Sequence, residues 1–323
     1  MEKKRITCPD SSLPKDERIK YLFENISEWI YSDCLRELIS LYGGEDLASS
    51  FGSDPGRDIA DLQEFSAIWD FRKGTERWAV RDEKFALDNK VLIMEKAAGL
   101  GLTDIHEPSA EPDYILPLGG ARLANYVRPK MAREVIDEYG YTGKTIAALS
   151  GTRPLNEIER PYTDDYAPYA ETEFDAMCAG LEKAFGLSKF NEEKRMHDNI
   201  NLNSAVRKYS GRYMDSEVYS LAAPSSDPEN RRANSYDTFK YLLKHFDIQA
   251  GDRLLMVTSC IYVPFQTLKF MDLAIEGGFE VDCIGSDSVD TGNVSKVSNF
   301  LQEIKGTIDA IYTLSRQYDN YLR

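Results

Sequence analysis

The chain is short of histidine, of paired cysteine and of positive charge. Its three histidines, His106, His197 and His245, are far apart in sequence. Any histidine-based catalysis or metal binding must draw on them, and a Ser-His-Asp triad has no evident histidine. The five cysteines, Cys8, Cys34, Cys178, Cys260 and Cys283, are odd in number, scattered and free of any C-x-x-C. That spacing excludes a disulfide framework or a zinc ribbon. Lys and Arg number 39 against 54 Asp and Glu, a net charge of -15. A nucleic-acid binder needs a basic face to release counterions, so the balance argues against that partner. No run approaches the roughly 18 apolar residues of a membrane span. The opening MEKKRITCPDSSLPKDER lacks the apolar centre of a signal peptide. The expectation is a reduced, soluble, cytoplasmic protein with no membrane and no nucleic-acid partner.

What is present is a globular composition. Of 323 residues, 42% are hydrophobic and 29% charged, enough to build a substantial core. After a loose arm, Pro14-Lys15-Asp16-Glu17 opens a helix with acidic residues in its first turn, and Ile19, Leu22, Phe23, Ile26 and Ile30 recur every three or four residues. Further helical patterns run through Ile59, Leu62, Phe65 and Trp69, and from about Glu83 to Gly99. Residues 1–108 therefore read as an N-terminal all-helical subdomain. The polar stretch TDIHEPSAEP closes it as a linker.

Residues 109–323 change to alternating strands and helices. Buried strands are expected over Asp113–Leu118, Lys144–Ser150, Glu217–Ala222, Arg253–Thr258 and Phe279–Ile284, with a sixth at Ile308–Leu314. Residues 187–215 are charged and irregular and read as an insertion. Strands separated by helices specify an α/β fold: a Rossmann-like, mainly parallel sheet flanked by helices.

The organising stretch is DYILPLGGARLANYVRPKMAR, from Asp113 to Arg133. An apolar strand breaks at Gly119-Gly120, and Leu123, Val127, Met131 and Val135 resume with helical spacing. Glycines let the backbone come close to a ligand, and a helix start offers unpaired N–H groups to an anion. Arg122 and Arg128 lie in the turn and the first turns of the helix. In an open parallel sheet, ligands bind beyond the carboxyl ends of the strands. The other loops on that rim carry Ser150, Gly151, Thr152 and Arg153, then Arg231, Asn234 and Ser235, then Thr258, Ser259 and Tyr262. Glu173 opens a helix close to the second strand. Arginine forks with small hydroxyls are a usual means of holding phosphate or carboxylate. The bland alternative is that the glycine turn only packs and that Ser, Thr and Asn cap helices. A nucleophile elbow at Ser150 is excluded, since Ala148 stands where its first glycine belongs. No motif names a catalytic residue, a cofactor or a metal-ligand set.

LPLGGAR, ALSG with the later ETEFDAM, SSDPENRRANSYDTF and LLMVTS occur in an order that resembles the SanA/YdcF/ElyC-like family of α/β proteins. The resemblance runs from Asp113 to Ile284. Gly119 and Gly120 match the family's double glycine, and Ser150, Gly151 and Glu173 its Ser-Gly-Gly and acidic helix start, with Thr152 replacing the second glycine. Asn234 and Ser235 partly keep the family's Asn-Thr helix start. Ile261, Tyr262 and Phe265 stand where the family carries a Tyr-His pair and an arginine. The resemblance implies a Rossmann-like fold and a polar pocket for a nucleotide or phosphorylated compound. The expected partner is thus an anionic, nucleotide-like small molecule. The resemblance supplies no reaction, and the first hypothesis is an enzyme acting on, or requiring, that molecule. The alternatives are a non-catalytic ligand sensor and an interaction protein with a vestigial pocket.

Overall fold

The computed structural model describes residues 3–52, 54–74, 80–287, 290 and 296–322. The protein is α/β, with a mostly parallel sheet, flanking helices and a helical N-terminal region. Its contacts divide it into two units. One comprises Met1–Asp104, Cys260–Gly278 and Val294–Arg323, and the other Ile105–Ser259 and Phe279–Asn293.

The helical unit begins with α1 (Lys15–Ile30), α2 (Asp33–Leu41), α3 (Glu45–Ser50), α4 (Pro55–Phe65), α5 (Lys84–Asp88) and α6 (Lys90–Gly99). The Ser32 and Asp54 side chains accept backbone N–H bonds at the starts of α2 and α4, as N-caps do. Ile19, Leu22, Ile26, Trp29 and Ile30 form the buried stripe of α1. The indole N–H of Trp29 finds the Leu100 carbonyl at 3.1 Å. Trp69 is fully buried. The indole of Trp78 lies outside the described residues.

The α/β unit is built from β1 (Tyr114–Pro117), α7 (Ala124–Tyr139), β2 (Thr145–Ser150), α8 (Arg160–Thr163), α9 (Glu173–Phe185), β3 (Phe190–Arg195), β4 (Ser204–Tyr213), β5 (Ser216–Ala222), α10 (Ser235–His245) and β6 (Arg253–Ser259). The chain then gives α11 (Val263–Lys269) and α12 (Met271–Gly277) to the helical unit, returns for β7 (Glu280–Ser286), and ends in α13 (Val297–Gln317) of the helical unit.

The seven strands run β3-β4-β5-β2-β1-β6-β7. The five from β5 to β7 are mutually parallel. Strands β1, β2 and β6 are almost wholly buried apolar runs, as parallel strands covered on both faces must be. Ile115, Ile146, Ala148, Val218, Leu255, Val257 and Ile284 point to one face, where Ala132, Val135 and Ile136 of α7 and Met177, Leu181 and Phe185 of α9 pack on them. Tyr114 and Tyr219, with opposite parity, meet Phe246 just past α10.

Two expectations need correction. Residues 187–215 contain the antiparallel hairpin of β3 and β4, and β4 pairs antiparallel with β5. Every residue of β3 is exposed, so its polar sequence FNEEKR carries no apolar alternation to reveal a strand. Ile308–Leu314 is not a strand but part of the C-terminal half of α13. Val297, Leu301, Ile304, Ile308, Ile311 and Leu314 are buried at helical spacing along its 21 residues. The β-branched run within it is too short a window to show that period.

Candidate functional site

Strand β1 is the pivot of the parallel strands. The chain first builds outward through β2 and β5, then crosses back to lay β6 and β7 on the other side of β1. The topological switch therefore lies between β1 and β6, and the crevice outside their carboxyl ends is where such sheets hold ligands. Gly119 and Gly120 follow β1 at that point. Leu118 still bridges Leu149, and the Gly119 N–H donates to the Leu149 carbonyl at 2.6 Å.

The glycines serve close packing within the protein. Neither has a positive φ. A Cβ on Gly119 would overlap the Glu173 Oε1 and lie 3.0 Å from both the Leu149 carbonyl oxygen and the Ser150 Cα. A Cβ on Gly120 would lie 2.8 Å from the Ala124 Cβ and 3.0 Å from the Arg128 Nη1. Asn125 closes the turn from the helix side. Its amide accepts from the Gly120 N–H at 3.0 Å and donates to the Gly120 carbonyl at 2.8 Å.

Two arginines converge on this turn. Arg128, buried on α7, donates through Nη1 to the Leu118 carbonyl at 2.8 Å and the Gly119 carbonyl at 2.5 Å, and through Nη2 to the Ser259 hydroxyl at 3.2 Å. It thereby ties the ends of β1 and β6 together across the switch. Arg153, in the loop after β2, forms a bidentate pair with Glu159 at 2.7 Å on both nitrogens. Its Nε meets Glu173 at 2.5 Å, and Nη2 reaches the Gly120 carbonyl at 3.4 Å. Burial alone would lower the Arg153 pKa, but the Glu173 and Glu159 carboxylates reverse this and raise it. Burial alone would raise that of Glu159, yet Arg153 holds it below the usual carboxylate range. Tyr166 stacks on Tyr126 and donates to the Arg122 carbonyl at 3.1 Å. Its own pKa is pushed up by burial, with Glu173 and Glu159 adding to the shift.

Gly119, Gly120, Arg128, Ser259, Arg153 and Glu173 are thus drawn into one connected cluster. Arg122 belongs to it through Tyr166, and its guanidinium lies over the Tyr162 ring at 5.0 Å. Ser150 is buried at the end of β2, with its hydroxyl 3.5 Å from the Leu221 carbonyl. Gly151 and Thr152 are half-buried in the loop that carries Arg153, and Thr258 is buried beside Ser259. Arg231, Asn234 and Ser235 form a separate group at the start of α10. Asn234 caps the helix in a reciprocal box with Asp237, and Arg231 pairs with Asp237 and donates to the Ser226 hydroxyl at 2.8 Å. Tyr262 belongs to the helical unit, at the start of α11.

Sequence reasoning passed over Asn125, Glu159 and Tyr166 as site residues. Their only sequence signals are a polar residue five positions past the glycines and an acid and an aromatic in a long polar loop. The capping boxes Thr172-x-x-Asp175 and Asn234-x-x-Asp237 were within reach of a spacing rule.

A groove of about 1090 Å³ opens in the helical unit along Lys20, Phe23, Glu24, Ser27 and Tyr31 of α1. Two of its three lysines meet carboxylates: Lys96 lies 2.8 Å from Glu37, and Lys4 lies 3.7 Å from Glu28. The groove carries both signs of charge, and the switch-point cluster is the stronger candidate because it stands where open parallel sheets hold ligands. No group of ligating side chains suited to a metal ion occurs among the described residues. No helix among them is long and apolar enough to cross a membrane, and no disulfide joins them.

Comparison with known proteins adds one domain family and relatives along the whole chain. The Rv3785 N-terminal domain family matches residues 14–101, the stretch that holds α1 to α6. The chain is 27% identical to uncharacterized protein Rv3785 of Mycobacterium tuberculosis and, at the same identity, to uncharacterized protein Mb3814 of Mycobacterium bovis. Each comparison covers 96% of this chain and 94% of the relative. No solved structure matches the chain.

Proposed function

We propose that the α/β unit binds an anionic small molecule, nucleotide-like or phosphorylated, in the crevice between the carboxyl ends of β1 and β6. The observation that carries this reading is the coincidence of the topological switch with the Gly119-Gly120 turn and two guanidinium groups, Arg128 and Arg153, directed at that turn's carbonyls. Arg153 is offset by Glu159 and Glu173, so the attraction for an anion falls to Arg128, whose field the low dielectric of the crevice strengthens. The start of α7 adds only the positive end of its dipole, since the Ala124 and Tyr126 N–H groups already donate to the Ala121 and Leu123 carbonyls. The resemblance of residues 113–284 to the SanA/YdcF/ElyC-like family supports the same ligand class, and the scattered cysteines, with no disulfide among the described residues, support a cytoplasmic setting. On this reading Glu173, the least enclosed carboxylate of the cluster, is the group placed to act as a base on a bound substrate.

A second reading is a non-catalytic sensor, or a pocket that has lost its chemistry. It is favoured by one specific observation: Arg128, Arg153 and Arg231 are each engaged by acceptors of the protein itself. A thermal-shift panel of nucleotides, sugar phosphates and inorganic phosphate tests binding, since a ligand of the native state adds RT ln(1 + [L]/Kd) to stability. Melting temperatures that stay flat across the panel defeat the proposal. Turnover of a stabilising compound selects the enzyme, and binding without turnover selects the sensor.

A further inference from the structure

The glycine turn places its one strained backbone on a residue that is not glycine. Arg122 has φ +57, in the left-handed region that a Cβ disfavours, while Gly119 and Gly120 just before it avoid that region. A turn selected only to reverse the chain would give this position to glycine or asparagine at little cost. Arg122 is instead forced into it from both ends. Its carbonyl receives the Tyr166 hydroxyl at 3.1 Å, and its backbone N–H is taken by the Glu159 carboxylate. Both clamps are buried. Glu159 is itself fixed by the bidentate Arg153 pair and by the Asn156 N–H at 3.1 Å. The clamps also settle where the side chain goes: the guanidinium lies over Tyr162 at 5.0 Å. Stacking uses the face of a guanidinium, and the donor fork lies in its plane, so a stacked arginine meets an oxyanion edge-on and in a set orientation.

We infer that Arg122 is the residue that grips the ligand's oxyanion, and that the Glu159–Tyr166 clamp exists to hold it in that conformation. This rests on the anion reading of the same site and assigns its specificity. The group recognised carries two oxygens that a fork can take together, phosphoryl or carboxylate. Backbone strain held in place by surrounding structure marks functional positions more often than plain turns. The buried Arg153–Glu159 pair then becomes a support for Arg122 rather than the ligand contact itself, and Glu173 keeps its place beside the substrate.

The test is isothermal titration of the full chain and its variants with inorganic phosphate, AMP and malonate. The parent binds at least one of them, and affinity falls as salt rises. Arg122→Gly, which relieves the strain, lowers that affinity tenfold or more. Arg122→Lys keeps the charge without the fork and falls between the two. Arg122→Asn, which tolerates the left-handed region, replaces the glycine variant if that one fails to fold, with the same loss expected. The phosphate and AMP arms against the malonate arm decide which oxyanion is preferred. A parent that binds while Arg122→Gly or Arg122→Asn binds within twofold of it overturns the assignment and leaves the anion site standing. A parent silent toward all three probes removes the site and the assignment together.

Discussion

Arg153 and Arg231 each meet carboxylates beyond the carboxyl ends of the sheet, but in different company. Arg153 has two carboxylates and a backbone carbonyl around it, with Glu159 almost wholly enclosed. Arg231 has one carboxylate, Asp237, and its own side chain is 36% exposed. Asp237 is already committed as the reciprocal cap of α10. The second cluster is an elaborated helix start. The first joins three separate pieces of chain, the turn after β1, the loop after β2 and the start of α9, and has no helix-capping duty to account for it. The same pair of residue types therefore carries different meaning according to what else each partner is required to do.

The comparison breaks most visibly if Arg153 is removed. Arg153→Met leaves Glu159 and Glu173 enclosed without their cation and is expected to cost about 3–5 kcal/mol. Arg231→Met should cost less, about 1 kcal/mol, because Arg231 is partly exposed and the buried Asp237 carboxylate keeps the Asn234 N–H and Ser226 N–H bonds. Denaturant unfolding of the two variants gives both numbers, and equal losses would remove the distinction. Next in size is Gly119→Ala, whose added methyl meets Glu173 and the backbone of Leu149 and Ser150. An overpacking cost of about 1–3 kcal/mol is expected, at the upper end because backbone cannot swing aside. Gly120→Ala meets only the side chains of Ala124 and Arg128, so its loss should be smaller when thermal melts are compared.

The smallest effect is a pH dependence. Burial would raise the Asp237 pKa, but Arg231, Ser226 and the Asn234 N–H together bring it down to about 2. A carboxylate depressed in the folded state contributes stability that is complete above its unfolded pKa, near 4, and is lost as pH falls through the folded value. Glu159 is depressed by Arg153 and acts in the same sense. Melting temperature should therefore fall as pH drops from about 4 toward 2. Asp237→Asn should flatten part of that slope. An unchanged acid slope in this variant would show that the cap carries no charge-dependent stability.

The parallel strands were legible because burial on both faces writes itself as an apolar run, as in LLMV of β6 and TIAAL of β2. The hairpin of β3 and β4 was not, because β3 is exposed at each position and keeps polar residues on both faces. At the site, the arginines and glycines stood out by residue type. Their partners did not: Glu159 and Tyr166 lie in a polar loop whose return to the Gly119-Gly120 turn no local rule predicts. The one left-handed residue of the turn is Arg122, which nothing in its local sequence marks out. Glycine in a sequence tells that a Cβ is unwelcome. It does not tell whether the reason is a dihedral or, as here, a neighbour's side chain.

The helical unit draws its parts from three places along the chain, and this has a consequence for the order in which it is made. Helix α13 packs against α4, α5, α6 and α11 within that unit. On the ribosome α1 to α6 emerge early, and α13 only after the whole sheet has been synthesised. At roughly 5–20 residues per second, the early helices wait on the order of ten seconds or more for the element that covers them. During that interval Ile59, Leu62, Trp69 and Ile93, all buried in the finished protein, lack the helix that later packs on their part of the unit. Nascent chains of this protein should therefore depend on a holding chaperone until the C-terminal segment has been released.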